Sequence, residues 1–325
     1  MHELISMVIP CFNEEQNLRP LLNEITHVVA NWPNPETETE SKPYFEIVLV
    51  DDGSTDNSLN IIHAAATSEK YPFKVRYISF SRNFGKEAAL YAGIEAAKGT
   101  LVATMDADMQ DPPSLLPQMY KTLKEEDCDN VATRRATRQG EPPIRSFFAR
   151  LFYKIINKIA DVEIVDGARD FRLMKKQMAN AVLNLQERNR FSKGIFEWVG
   201  FKTRYISYEN IERTAGGTKW SFWQLFVYAL DGLAAFSIAP LALASLIGIV
   251  LCLIAFIAVL VIFFKTIAFG DPVDGWPSLA CIIVFLGGLQ LFCIGVIGRY
   301  LARVYLEVKH RPIYIARETS EENSL

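Results

Sequence analysis

The sequence predicts an α/β protein, a mixed but mainly parallel sheet with helices on both faces, followed by two C-terminal membrane-spanning helices. Three observations predict it. Short apolar, β-branched runs alternate with helix-like segments between residues 1 and 140, acidic and turn-forming residues collect where those runs end, and two long apolar stretches occupy the last third of the chain.

Strands are expected at Leu4 to Pro10, Phe45 to Asp51, Val75 to Ser79, Leu101 to Asp106 and Asp129 to Thr133. The segment Glu14 to Ala30, behind an Asn13 cap, reads as the first helix, and Thr55 to Glu69 and Gly85 to Lys98 as the next two. Residues 31–43 hold three prolines among polar residues and predict an exposed loop. In Ile144 to Asp161, apolar residues recur every three or four positions between Arg145, Arg150, Lys154 and Lys158, which describes a basic amphipathic helix; it either buries one face in the protein core or lies on anionic lipid, and the downstream spans favour lipid. An aromatic run from Lys219 to Tyr228 precedes the first span, as headgroup-level residues do.

The spans run from about Gly232 to Phe264 and from about Trp276 to Gly298. A helix of roughly 20 residues crosses the hydrocarbon core. Arg299, Arg303, Lys309 and Arg311 follow the second span, whereas the loop between the two carries one lysine and two aspartates, so the C-terminal flank is expected to be cytoplasmic. No signal peptide is evident before the first strand, which places the polar half in the cytosol as well. The expected division is 1–140 for the nucleotide-binding core, 141–231 for an acceptor-side region, 232–300 for the spans and 301–325 for a cytoplasmic tail. The net charge of −3 decides nothing, and the five cysteines lack the spacing of a disulfide framework or zinc site.

Chemistry is expected at the strand ends. Asp106, Asp108 and Gln110 follow an apolar strand and stop at Pro112-Pro113, so oxygen ligands are presented together on a loop, as Mg²⁺ or Mn²⁺ prefers beside substrate phosphates. In Asp51-Asp52-Gly53-Ser54, the turn is expected to be built by Gly53, Ser54 and Asp56, leaving Asp51 and Asp52 to accept hydrogen bonds from a nucleobase or ribose. Arg134, Arg135, Arg138, Arg169, Arg172 and Lys219 are candidates for holding anionic phosphate. A dehydrogenase is excluded by the lack of G-x-G-x-x-G after the first strand, and no P-loop signature is present.

Taken in order, these residues resemble the GT-A glycosyltransferases of family two, and within them the polyprenyl-phosphate glycosyltransferases, relatives of dolichol-phosphate mannose synthase. The matching segments are Val8 to Glu15, Asp51 to Ser54, Asn83-Phe84-Gly85-Lys86, Asp106 to Pro112, Asp170 to Met174, Arg213 to Trp220, Gly298 to Leu301 and Arg311-Pro312. The chain departs from the pattern at Gly217 and Arg299, where the family tends to have Glu. The resemblance implies a GT-A fold, a UDP-sugar held by Pro10, Phe12, Glu14, Asp51, Asp52, Lys86 and Asp106, and a metal held by Asp106, Asp108 and Gln110. It makes Asp170 the candidate catalytic carboxylate, the alternative being a residue that orients Arg172 or caps a helix.

It further implies a homo-oligomer, with a tetramer as the expected size, in the bacterial inner membrane, acting on polyprenyl phosphate with no nucleic-acid partner. Glucose is the first expectation for the sugar, with galactose, N-acetylhexosamine or an aminoarabinose derivative open. A processive polysaccharide synthase is set aside because Q-x-x-R-W is missing, and a non-catalytic scaffold because Asp106, Asp108 and Asp170 are intact.

Overall fold

The computed structural model describes residues 3–33, 42–135, 165, 167–188, 190–209 and 275–320, with isolated positions between 241 and 268. The chain divides into two compact units, Met1–Ala229 with Pro312–Leu325, and Leu230–Arg311.

The first unit is built on an eight-stranded mixed sheet in the order β7-β5-β6-β4-β1-β2-β3-β8. Its centre is parallel: β1 (Leu4–Cys11), β2 (Tyr44–Asp51), β3 (Lys74–Phe80) and β4 (Leu101–Thr104). These strands are buried almost throughout, which is why they read as continuous apolar runs. Helix α1 (Leu18–Ala30) buries Leu18, Leu21, Leu22, Ile25, Val28 and Val29, one stripe at helical spacing. Helix α2 (Ser58–Ala66) and helix α3 (Lys86–Ala96) follow β2 and β3. Helix α3 packs so closely that a Cβ on Gly93 would lie 2.1 Å from Val8 Cγ1. A 3₁₀ turn (Pro113–Leu115) leads into α4 (Leu116–Glu125).

Beyond β4 the sheet departs from the expected pattern. Strand β5 (Asn130–Arg135) is not its neighbour, because β6 (Ala168–Lys175) inserts between them, antiparallel to both. Helices α5 (Lys176–Asn184) and α6 (Ser192–Trp198) follow, and β7 (Thr203–Tyr208) adds parallel to β5. Part of the expected acceptor-side region 141–231 is thus built into the same sheet as the nucleotide-binding core. At the other edge, β8 (Ala316–Thr319), from the expected tail, pairs antiparallel with β3, and Tyr314 stacks on Phe80 with ring centroids 4.9 Å apart.

The second unit contains α7 (Trp276–Val308), of 33 residues. Its Phe285–Val308 stretch, mean hydropathy 1.5, is long and apolar enough to cross a membrane, the one such helix among the described residues. Leu291, Phe292, Ile294 and Leu301 are among its exposed side chains. The amphipathic segment 144–161, the aromatic run 219–228 and most of the first span lie outside the described residues.

Candidate functional site

The parallel strands end in a row. Cys11 is registered against Asp51, and Asp51 against Ser79, so the turns that follow gather beyond the carboxyl ends of the strands, where open α/β sheets bind ligands. Pro10 is the penultimate residue of β1, and Phe12 stands exposed just after it. Asn13 follows with φ 54°, a left-handed conformation that asparagine tolerates.

Asn13 is not the helix cap expected from sequence. Its N–H donates to Ser54 Oγ at 3.0 Å and its side-chain oxygen accepts from the Thr55 N–H at 2.8 Å, so it clasps the turn after β1 to the turn after β2. Helix α1 begins at Leu18 behind Asn17, whose amide donates to Glu14 Oε2 at 2.6 Å.

Asp51 and Asp52 are not left over either. Asp51 accepts from the Ser54 N–H at 3.1 Å and from Ser79 Oγ at 2.8 Å. Asp52 accepts from the Phe84 N–H at 2.6 Å and the Gly85 N–H at 2.9 Å, and burial raises its pKa above the usual carboxylate value against those two bonds. Gly53, at φ 70°, packs so tightly that an added Cβ would lie 2.5 Å from the Arg82 carbonyl carbon. Asp52 therefore holds the loop that delivers Lys86 to the site, while Asp51 ties its own turn to the end of β3.

Asp106 and Asp170 meet because of strand register. Thr104, the last residue of β4, pairs with Arg172 of β6, and two residues beyond that pair on each chain segment Asp106 and Asp170 reach the same lysine. Thr104 Oγ1 donates to the Asp170 carbonyl at 2.5 Å and fixes that alignment. Lys86 Nζ, from the first turn of α3, lies 2.7 Å from Asp106 Oδ1 and also bonds Asp170 Oδ2. The Lys86 side chain is part-exposed along its stem; desolvation at its ammonium end would lower the pKa, but Asp106 and then Asp170 override it and hold the ammonium well above its usual range. Burial would likewise raise Asp170, yet Lys86, followed by Lys193, keeps this carboxyl far below the ordinary value.

The remaining candidates form a second cluster. Gln110 Oε1 accepts from Arg135 Nη2 at 2.9 Å and Arg169 Nη2 at 3.3 Å, so in this arrangement its oxygen serves guanidinium groups rather than standing as a third metal ligand. Asp108 Oδ1 accepts from the Gln110 N–H at 3.1 Å. Arg169 Nε donates to Asp111 Oδ1 at 3.0 Å, and the Tyr208 hydroxyl donates to the same oxygen. Burial first, then Asp111, push the Tyr208 pKa up to about 12. Arg134 Nε donates to Ser207 Oγ at 3.0 Å.

Arg172 departs from its expected role as a phosphate ligand. Its side chain is 0% exposed, with the guanidinium carbon 4.0 Å from the centre of the Phe196 ring, so it sits beneath the site without reaching solvent. Arg138 and Lys219 lie outside the described residues. Sequence reasoning missed Ser79, Asp111 and Tyr208. Only Asp111, beside the D-x-D run, carried a signal.

The donor set fits a hard divalent cation. Asp106 and Asp170 already converge on one positive charge, and Asp170 Oδ1 is buried with no hydrogen-bond partner among the described residues. Two carboxylates plus substrate phosphates match the way Mg²⁺ is usually held. No group of three or more His, Cys, Asp or Glu side chains is assembled among the described residues.

Carboxylates gathered at the strand ends beside a guanidinium pair mark the place where an α/β protein of this kind binds its ligands. Residues 6–183 match the family model described as Glycosyl transferase family 2, and the chain belongs to that family of glycosyltransferases. It is 42% identical over 322 residues to the putative glycosyltransferase CsbB of Bacillus subtilis, covering 98% of this chain and 93% of that one. It is 39% identical over 320 residues to the bactoprenol glucosyl transferase of Shigella phage SfII, covering 98% and 99% of the two chains. An uncharacterized glycosyltransferase of Synechocystis is 40% identical over 314 residues, covering 97% of this chain and 95% of that one.

Proposed function

We propose that this enzyme transfers a sugar, glucose first among the candidates, from a UDP-sugar to polyprenyl phosphate at the cytoplasmic face of the bacterial inner membrane, inverting the anomeric centre. The observation that carries the reading is the convergence of Asp106 and Asp170, from separate strands, on one positive charge beside the Arg135–Arg169 pair. The bactoprenol glucosyl transferase matched along nearly the whole chain supports the acceptor and the sugar. The apolar length of α7 supports a membrane location. The uncharged apolar run in residues 232–264 is proposed as a second span, and a homo-oligomer is proposed from the family resemblance alone.

Mg²⁺ or Mn²⁺ bound by Asp106 and Asp170, with Asp108 close in sequence, would neutralise the departing diphosphate. A phosphate monoester loses its second proton at about pH 6, so the lipid phosphate is already a nucleophile at neutral pH. With the acceptor phosphate already ionised, Asp170 is assigned to holding the cation rather than to removing a proton. Arg135 and Arg169, with Arg134, Arg138 and Lys219, offset the repulsion between donor and acceptor phosphates. Phe12 presents a ring for the nucleobase, Pro10 and Glu14 border it, and Asp51 and Asp52 fix the turns beneath.

The test is incubation of the purified full-length protein with undecaprenyl phosphate, Mn²⁺ and a panel of radiolabelled UDP-sugars. Lipid-linked glucose is expected to dominate. No lipid-linked product with any sugar would favour a non-catalytic scaffold instead.

A further inference from the structure

We propose that Lys86 is the resident counter-ion of the metal site, its ammonium occupying the place of the divalent cation until metal and donor arrive together and exchange for it. This rests on the metal-dependent reading above.

Lys86 Nζ lies 2.7 and 2.9 Å from the two oxygens of Asp106 and also bonds Asp170. Two carboxylates brought together by strand register repel one another unless a cation lies between them, and in this state Lys86 supplies that cation. Its position conflicts with helix stability. It is the first residue of α3, where the helix dipole favours negative side chains and disfavours an ammonium. A lysine placed against the local rule, and held there by two aspartates, points to a role in the site.

Exchange is geometrically open. The Lys86 side chain is 42% exposed, whereas Asp106 and Asp170 are 21% and 15% exposed, so the four-carbon stem can swing outward while the carboxylates stay. The displaced ammonium then has a new partner in the donor diphosphate. Metal and nucleotide must therefore bind with positive coupling, because each relieves the cost of moving Lys86 for the other.

Mn²⁺ binding to the full-length protein in detergent micelles, followed by the electron paramagnetic resonance signal of free Mn²⁺ with and without saturating UDP, tests this directly. Wild type should bind Mn²⁺ weakly alone and at least tenfold more tightly with UDP. Lys86→Met should bind Mn²⁺ without UDP at least tenfold more tightly than wild type, with most of the coupling gone. Lys86→Arg keeps the charge and grips both carboxylates in a fork, so it should bind Mn²⁺ more weakly than wild type, and it reports even where Lys86→Met fails to fold. Lys86→Met binding no more tightly, or Lys86→Arg binding as well as wild type, overturns the exchange. If UDP-dependent binding then still disappears in Asp106→Asn, the metal site survives without it. Absence of Mn²⁺ binding to wild type even with UDP removes both.

Discussion

Gly53 shows how a single residue shapes the site. At φ 70°, with the Arg82 carbonyl carbon 2.5 Å from where a Cβ would sit, it lets the Asp51-Asp52 turn close on the loop that carries Lys86. Gly53→Ala should cost on the order of 1–3 kcal/mol through backbone strain and contact. An unchanged thermal midpoint by circular dichroism would refute that. Tyr208 gives a pH signature. Its folded pKa is raised to about 12 by burial and by Asp111, above an unfolded value near 10, so its contribution is complete below about pH 10 and is lost as pH rises through the folded value. Urea unfolding from pH 9 upward should show wild type losing about 2 kcal/mol more than Tyr208→Phe. Equal losses would remove Tyr208 from the account. At this scale the residue types were legible from sequence, but their partners were not. Asp51 and Asp52 looked free for a ligand because Ser79, Phe84 and Gly85, which satisfy them, lie about 30 residues downstream.

Elements were legible where burial is two-sided. Strands β1 to β4 are apolar on both faces and stood out as continuous runs, whereas Arg169, Asp170, Arg172 and Lys175 break the pattern of β6 and hid it. Strand β8 is short and polar, joined to β3 largely through its backbone, so neither hydrophobic pattern nor propensity announced it. Charges inside β2 and β3 have a structural explanation. Glu46 accepts from Ser6 Oγ at 2.5 Å, Arg76 Nη1 at 3.2 Å and the Lys98 N–H at 2.8 Å, joining β1, β2, β3 and the chain leaving α3. Glu46→Ala leaves a buried guanidinium without its carboxylate and should destabilise the fold by about 3–5 kcal/mol. Denaturant unfolding measures it, and a loss below 1 kcal/mol would mean that the other partners of Arg76, the Ala96 carbonyl at 2.7 Å among them, suffice.

For the whole molecule, the sequence pattern made the parallel α/β half and the apolar C-terminal helix legible, because hydrophobic period and length survive without knowledge of contacts. It did not reveal that β6 crosses between β4 and β5, which is what brings Asp170 to Asp106, since that pairing joins segments more than sixty residues apart. Membership of glycosyl transferase family 2 and this carboxylate pair together motivate the account of sugar transfer to a lipid phosphate. The most direct measurement is the transfer of label from UDP-[¹⁴C]glucose into organic-extractable lipid by wild type and Asp106→Asn, with and without undecaprenyl phosphate and Mn²⁺. The account predicts label in lipid only when wild type, acceptor and metal are all present, and at least a hundredfold less with Asp106→Asn. Incorporation by Asp106→Asn at the wild-type rate, or by wild type with the metal chelated, would contradict it.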